Sequence, residues 1–183
     1  MAMTTRVVLT YRDYAALPND GRKYEIHEGE LSVTPAPGTR HQQISRNFLV
    51  ALDAYVSARR LGEVLDAPID VILSDTTIVQ PDIVYVANDR RRLLTSRGIE
   101  GPPTLVVEIL SPSTIEIDRH TKSQLYARHG VPYYWIVDPE ACSVEVYVLA
   151  EGGYRLSTRA AGDESLRAEP FRDLVLTPDS LWR

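Results

Sequence analysis

The sequence predicts a mixed α/β fold, in which helices flank a mixed β-sheet and a single domain spans residues 1–183. This length is enough for one domain with a sizeable core, and hydrophobic residues make up 44% of the chain. The apolar runs TLVVEIL and YYWIVD have the length of buried strands. A helical segment lies between these two runs, and that order favours a crossover connection within one sheet.

The N-terminal part of the chain predicts a short helix followed by a hairpin. The segment LTYRDYAALPNDG suggests a helix that Thr10 opens and that closes before Pro18. The segment KYEIHEGELSV suggests a β-hairpin that turns near Glu28 and Gly29.

The segment PAPGTRHQQISRNFLVALDAYVSARRLG predicts a long helix. Thr39 and Gln42 fit a capping box at its start, and Gly62 is suited to its end. Apolar residues recur at every fourth position and make a stripe that can pack on the sheet: Ile44, Phe48, Leu52 and Val56.

The remaining chain predicts strands around a second helix. EVLDAPIDVIL gives one or two strands with a break at Pro68, and TIVQPDIVYVA and TLVVEIL each give another. SPSTIEIDRHTKSQLYARHGVP predicts the helix, with a capping box at Ser113 and Glu116 and a left-handed stop at Gly130. YYWIVD, SVEVYVL and GYRLSTR predict closing antiparallel strands, and the tail is expected to pack back on the body.

Composition limits the setting and the partners. The formal net charge of −5 argues against indiscriminate nucleic-acid binding through overall charge. One segment is locally basic because it holds Arg90, Arg91, Arg92 and Arg97, and a solvated polar loop is the alternative interpretation. The only cysteine, Cys142, excludes an internal disulfide, and no apolar run approaches a membrane span or a signal peptide. We therefore expect a cytoplasmic protein without membrane contact.

Two carboxylates in or beside apolar strands are the first candidates for chemistry. Glu108 interrupts the run LVVEIL, and an ionised carboxylate there is costly unless it is paired or bound to a metal. A buried ion pair, or a position near water at the strand end, would also explain it. Asp82 follows Pro81, which cannot donate to a sheet ladder, so an irregular strand can turn this carboxylate towards a neighbour. If the two strands are adjacent, the pair suits Mg²⁺ or Mn²⁺.

Lys122 is the third candidate, on the second helix. It shares a helical face with Leu125 and Tyr126, which have the character of core residues, so it is expected to point towards the sheet. A modest ion pair within the helix, with Asp118 four residues earlier, is the structural alternative.

The ordered set QPDIVYV, LVVEILSPST and DRHTKSQLYARHGVPYYWIVDP, with the earlier YEIHEGEL and PAPGTRHQQI, resembles the Uma-type restriction endonuclease domain family. That family belongs to the PD-(D/E)XK nuclease superfamily. The resemblance implies a restriction-endonuclease-like core and an Mg²⁺- or Mn²⁺-dependent endonuclease that acts on nucleic acid, in particular DNA. Nucleases that cut both strands often form dimers, so a homodimer is also expected.

The resemblance also implies roles for individual residues. Asp82, Glu108 and the backbone carbonyl of Ile109 would bind the metal, and Glu25 would match an early acidic residue. Leu110 stands where the superfamily has a lysine, and Lys122 would take over that lysine's role of orienting water or stabilising negative charge.

Basic groups beside this site would contact the substrate. His41 is expected to face the same cleft and to contact nucleic acid, an ordinary hydrogen-bonded histidine being the alternative. Arg90, Arg91 and Arg92 would track the phosphate backbone.

Two other functions stay open. Leu110 and the acidic net charge also fit a non-catalytic module that binds nucleic acid or protein with the nuclease fold. Asp82 and Glu108 could instead be the acid and base of a glycoside hydrolase, but an aromatic content of 8% argues against a sugar-stacking site.

Overall fold

The computed structural model describes residues 7–182, which contain two six-stranded sheets and a two-stranded ribbon. The helical elements within these residues are α1 (Tyr11–Tyr14), α2 (Thr39–Arg59), a 3-10 helix (Asn88–Leu93), a π-helical turn (Ile117–Lys122), α3 (Ser123–Arg128) and α4 (Pro178–Leu181). The fourteen strands are β1 (Lys23–His27), β2 (Glu30–Thr34), β3 (Gly62–Asp66), β4 (Val71–Ser74), β5 (Thr77–Val79), β6 (Ile83–Ala87), β7 (Leu94–Thr95), β8 (Gly98–Glu100), β9 (Leu105–Ile109), β10 (Tyr133–Asp138), β11 (Ser143–Ala150), β12 (Gly153–Ala161), β13 (Leu166–Ala168) and β14 (Phe171–Leu176).

Both large sheets are mixed. The first has the strand order β2-β1-β5-β4-β8-β7, in which β4 and β8 run parallel. The second has the order β12-β11-β10-β9-β6-β3, in which β9 and β10 run parallel and the other neighbours are antiparallel. The π-helical turn and α3 form the connection between β9 and β10, so the predicted crossover within one sheet is observed.

The second sheet is buried on both faces. The predicted stripe of α2 packs on one face, where Phe48 meets the ring of Trp135 at a centroid distance of 6.4 Å. Tyr126 of α3 packs on the other face against Tyr134, with ring centroids 5.2 Å apart. The C-terminal tail adds Leu181 to the α2 side of this core, as the sequence suggested.

Four local predictions differ from the structure. TIVQPDIVYVA is two strands in different sheets, because Pro81 interrupts the ladder and the chain crosses from β5 to β6 there. The helix α2 has Gly38 at its N-cap and no side-chain capping hydrogen bond, so the predicted capping box at Thr39 and Gln42 is wrong.

The end of α2 and the start of the second helix also differ. The left-handed residue after α2 is Arg60, and Gly62 instead begins β3, where a Cβ atom would lie 2.1 Å from the carbonyl oxygen of Val86. The hydroxyl of Ser113 contacts that of Ser111 at 3.1 Å in the loop before the second helix, so it does not form the expected capping box. Among the described residues, none of the helices has the length and apolar character needed to cross a membrane.

Candidate active site

Asp82 and Glu108 come together because their strands are neighbours. Strands β6 and β9 pair antiparallel with Ile83 opposite Val107, and continuing this register by one residue places Asp82 opposite Glu108. Residues directly opposite in an antiparallel pair point to the same side of the sheet. The irregular chain at Pro81 turns the Asp82 carboxylate towards β9, where its Oδ2 accepts a hydrogen bond of 2.7 Å from the backbone N–H of Ile109.

Lys122 lies at the centre of a buried cluster of carboxylates. Its Nζ is 3.0 Å from Glu108 Oε1, 2.9 Å from Glu25 Oε1 and 3.5 Å from Asp118 Oδ1. Its side chain is only 3% exposed, and the carboxylates are equally buried. The inward face predicted for Lys122 is therefore observed, and the lysine joins Glu25 of the first sheet to Glu108 of the second.

Further hydrogen bonds fix these two glutamates. Glu108 Oε1 also accepts a hydrogen bond of 2.6 Å from the hydroxyl of Tyr126. Glu25 Oε1 accepts one of 2.7 Å from the backbone N–H of Gln80, and Glu25 Oε2 is 3.2 Å from His27 Nε2. Glu25, which the resemblance matched to an early acidic residue, is thus a buried member of the cluster.

Burial and nearby charges both shift the pKa values in this cluster, and for Glu108 and Asp118 burial is the larger effect. It raises the pKa of Glu108 to about 8, although the ammonium of Lys122 opposes the rise. It also raises the pKa of Asp118, again against the effect of Lys122. Burial lowers the pKa of Lys122 itself, but the charges of Glu108, Glu25 and Asp118 more than reverse this and raise it well above its ordinary value. The single ammonium group of Lys122 is therefore shared by three acidic side chains.

His41 bridges two of the atoms that the family resemblance assigned to a metal. Its Nε2 is 3.2 Å from Asp82 Oδ2 and 3.0 Å from the carbonyl oxygen of Ile109. Within residues 7–182, its buried Nδ1 has no hydrogen-bond partner. Burial lowers the pKa of His41, but the hydrogen bond and charge of Asp82 reverse this and raise it. Burial likewise raises the pKa of Asp82, and the hydrogen bond from His41 brings it below its ordinary value.

A cleft of about 570 Å³ opens in front of these groups, a size typical of ligand sites. Asp82, Glu108, Ile109 and His41 line its floor, and the loops 34–38 and 111–114 line its walls. Glu25 and Lys122 lie behind this floor and do not line the cleft. The cleft therefore brings a ligand to Asp82 and Glu108, while Lys122, the partner of Glu108, stays covered.

Two cleft residues were missed in the sequence. Lys23 lines the cleft and stands two positions before Glu25 on β1, so the period of two along a strand could have placed both side chains on one face. Asp118 also lines the cleft, but its spacing of four from Lys122 suggested only a modest ion pair within the helix, which is present at 3.5 Å. The π-helical turn directs Asp118 and Lys122 inward, and such turns are frequent at functional sites.

The structure does not bring the three arginines into this cleft. They lie in the 3-10 helix after the end of β6, whereas Asp82 precedes its start. Arg90 donates to the carbonyl oxygen of Pro102 at 2.8 Å, and Arg91 pairs with Glu63 at 2.8 Å on the surface. Their contact with nucleic acid stays a prediction.

The donor set suits a hard divalent cation. The carboxylates of Asp82 and Glu108 and the carbonyl of Ile109 are oxygen ligands of the kind that Mg²⁺ and Mn²⁺ prefer. The bridging position of His41 Nε2 shows that Asp82 Oδ2 and the Ile109 oxygen converge on a single electropositive partner. In the described part of the chain, no three His, Cys, Asp or Glu side chains are grouped to hold a metal. The residues fit a site of two side chains and one backbone oxygen.

Comparisons with known proteins agree with this fold. The chain matches the family model described as "Uma2: Putative restriction endonuclease" over residues 11–179. Among curated proteins, no sequence matches the chain. Among solved structures, it is similar to "a putative nuclease belonging to DUF820 from Anabaena variabilis", with a TM-score of 0.77 and 20% sequence identity. This similarity covers 95% of the present chain and 97% of the other, and it confirms the predicted fold class.

Proposed function

Because the chain belongs to the Uma2 family of restriction endonucleases, we propose that it is a metal-dependent nuclease that hydrolyses phosphodiester bonds in DNA. The observation that carries this proposal is the placement of Asp82 and Glu108 opposite each other at the floor of an open cleft. Membership of the family supports the reaction class, and the position of the two carboxylates supports the choice of this cleft as the site.

Asp82, Glu108 and the carbonyl oxygen of Ile109 would hold Mg²⁺ or Mn²⁺. The ion would supply a Lewis acid for the scissile phosphate and lower the pKa of the attacking water. His41 already interacts with two of these three oxygens, so it is suited to hold the Asp82 carboxylate in place or to contact a phosphate oxygen.

Lys122 and Glu25 support the floor of the cleft. Lys122 holds the Glu108 carboxylate through a charged hydrogen bond of 3.0 Å and offsets part of the negative charge that gathers there. Glu25 also contacts the ammonium of Lys122. It accepts a hydrogen bond from the backbone N–H of Gln80, two residues before Asp82. In this proposal, Lys122 on the second helix supplies the positive charge that the superfamily lysine would supply at the position of Leu110.

A second function, a binding module without catalysis, is favoured by one observation. Leu110 stands where the superfamily has a lysine, and it is packed in the apolar core at 4% exposure. A module of this kind would bind nucleic acid or protein through the same cleft and would not cleave it.

The test is metal binding and cleavage by three proteins: the wild type, Asp82→Asn and Glu108→Gln. Calorimetric titration with Mn²⁺ alone and cleavage of plasmid DNA with Mn²⁺ are measured on each. Asp173→Asn is the matched control, because Asp173 is an exposed carboxylate on β14. We expect both site variants to lose at least about a hundredfold in cleavage rate and to bind Mn²⁺ more weakly, and the control to match the wild type.

Other results would redirect the proposal. Cleavage that survives both substitutions in folded protein would exclude Asp82 and Glu108 as the metal ligands. DNA binding by the wild type without cleavage at any Mn²⁺ concentration would favour the binding module.

A further inference from the structure

We infer that Lys23 is the residue that contacts a substrate phosphate in the cleft, and that Lys122 is a positioning residue behind it. This inference rests on the proposed nuclease function and assigns the phosphate contact to a lysine that the family resemblance did not indicate.

The use of lysine in this chain is selective. Of its 20 basic residues, 18 are arginines and only Lys23 and Lys122 are lysines. Both lysines lie within 4 Å of a Glu25 oxygen, beside the candidate metal site. An ammonium group is a compact charge on a flexible stem, and it approaches a phosphate or carboxylate oxygen as a point charge.

Lys122 is not available to a ligand. Its ammonium lies within 3.5 Å of oxygens of Glu108, Glu25 and Asp118, so its three N–H donors already face acceptors. Its side chain is 3% exposed and does not line the cleft. A phosphate could reach it only by displacing the buried carboxylates, so Lys122 is suited to holding them in position.

Lys23 has the opposite environment. It lines the cleft, and its side chain is 20% exposed. Within the described residues, its one ion pair is with Glu25 at 3.8 Å, which is beyond hydrogen-bond distance. Its charge also lowers the pKa of Asp82, after the larger effects of burial and of the His41 hydrogen bond. The ammonium therefore acts on the metal site and retains donors for a ligand.

The acidic lining of the cleft has to be offset by a basic side chain if a phosphodiester is to bind there. Four acidic side chains line it, those of Asp66, Asp82, Glu108 and Asp118, and each one that is ionised repels a phosphodiester that approaches the floor. Lys23 and the exposed Arg22 are the basic side chains that line the cleft besides His41, and Arg22 is engaged by Asp20 at 2.6 Å. Lys23 is thus placed to attract and orient the phosphate beside the metal ligands.

The experiment measures DNA binding apart from cleavage. Fluorescence anisotropy of a short labelled DNA duplex is recorded over a range of salt concentrations with Asp82→Asn protein, alone and combined with Lys23→Gln, Lys23→Arg or Arg128→Gln. Arg128 is an exposed cation that pairs with Glu28, and it serves as the matched control. Thermal unfolding checks that each variant folds.

We expect Lys23→Gln to weaken binding about tenfold and to lower the salt slope by about one, as for one lost phosphate contact. Lys23→Arg should keep the slope, and Arg128→Gln should change affinity less than about twofold. A direct readout is reductive methylation followed by mass spectrometry: Lys23 should react in the free protein and be protected in the DNA complex.

Equal affinity and equal salt slope with Lys23→Gln, or an unprotected Lys23 in the saturated complex, would overturn the inference, even if the wild type cleaves DNA. Weakened binding with Lys23→Gln, in a protein whose wild type never cleaves, would retain the inference and overturn only the nuclease activity. Failure of both wild type and Asp82→Asn to bind DNA would overturn the two proposals together.

Discussion

Replacing Lys122 by methionine tests whether this ammonium holds the buried cluster together. Methionine keeps much of the side-chain volume but leaves Glu25 and Glu108 without their shared cation. The loss of one partner from a buried ion cluster is strongly destabilising, because the remaining charges are neither solvated nor paired.

The geometry sets the size of the effect. At 2.9 and 3.0 Å, and with an effective dielectric constant of about 20, each attraction between Lys122 and a glutamate amounts to about 5–6 kcal/mol. The substitution also removes the cost of burying an ammonium, which is several kcal/mol. We therefore expect Lys122→Met to lower the free energy of unfolding by about 3–5 kcal/mol at pH 8.

The pH dependence has a definite sign. Without Lys122, burial raises the pKa of Glu108 further above that of the unfolded chain, and Glu25 loses the largest of the charges that hold its pKa below the ordinary value. The folded variant therefore keeps protons that the unfolded chain has already lost. The stability of the variant then falls as pH rises from about 4.5 towards and beyond pH 8, where burial already places the pKa of Glu108. The destabilisation should be smaller at pH 5 than at pH 8.

Urea denaturation at pH 5 and pH 8 measures these differences. Arg172→Met, at an exposed cation, is the control and should cost less than about 1 kcal/mol. The double variant Lys122→Met/Glu108→Gln should recover part of the lost stability, because it removes one uncompensated carboxylate. A loss below about 1 kcal/mol at pH 8, or a loss that does not depend on pH, would refute the reasoning.

Three further predictions follow from the site and the fold. Mn²⁺ binding should weaken about tenfold for each pH unit below about 8, because the raised pKa of Glu108 makes the metal compete with a proton; a flat calorimetric profile from pH 6.5 to 8.5 would contradict this. Asp118→Asn should add roughly 0.5–2 kcal/mol to the free energy of unfolding and so raise the Tm, since burial disfavours the charged form of Asp118; a lower Tm would show that its contact with Lys122 matters more. Gly62→Ala should lower the Tm because its Cβ would lie 2.1 Å from the backbone oxygen of Val86, whereas Gly38→Ala, at a glycine with open space around it, should not clash.

Much of the fold was predictable because apolar periodicity reports burial directly. The stripe of α2 and the apolar run around Glu108 both lie in the core where they were expected. The division into two sheets was not predictable, because β5 and β6 have the same apolar character on either side of Pro81. Only long-range pairing, which leaves no local pattern, decides that β5 joins β1 while β6 joins β9.

The candidate site was predictable to the extent that its residues break a pattern. Glu108 interrupts an apolar strand, and Asp82 follows a proline, so both attract notice. Lys23 and Asp118 break no pattern, since a lysine at a strand start and an acid four residues before a lysine are ordinary surface features. Their inward positions depend on how β1 and the π-helical turn meet across the cleft.

The contact of Lys122 with Glu25 and Glu108 has a consequence for partly unfolded states of the protein. One glutamate belongs to each large sheet, so the three charged groups meet only when the two sheets are docked in register. A state that keeps its strands and helices but loosens this docking would retain its far-ultraviolet circular dichroism and lose the arrangement around Asp82. Catalytic competence should therefore disappear before secondary structure does on gentle heating, and activity would be a more sensitive reporter of sheet docking than any spectroscopic measure of helix or strand content.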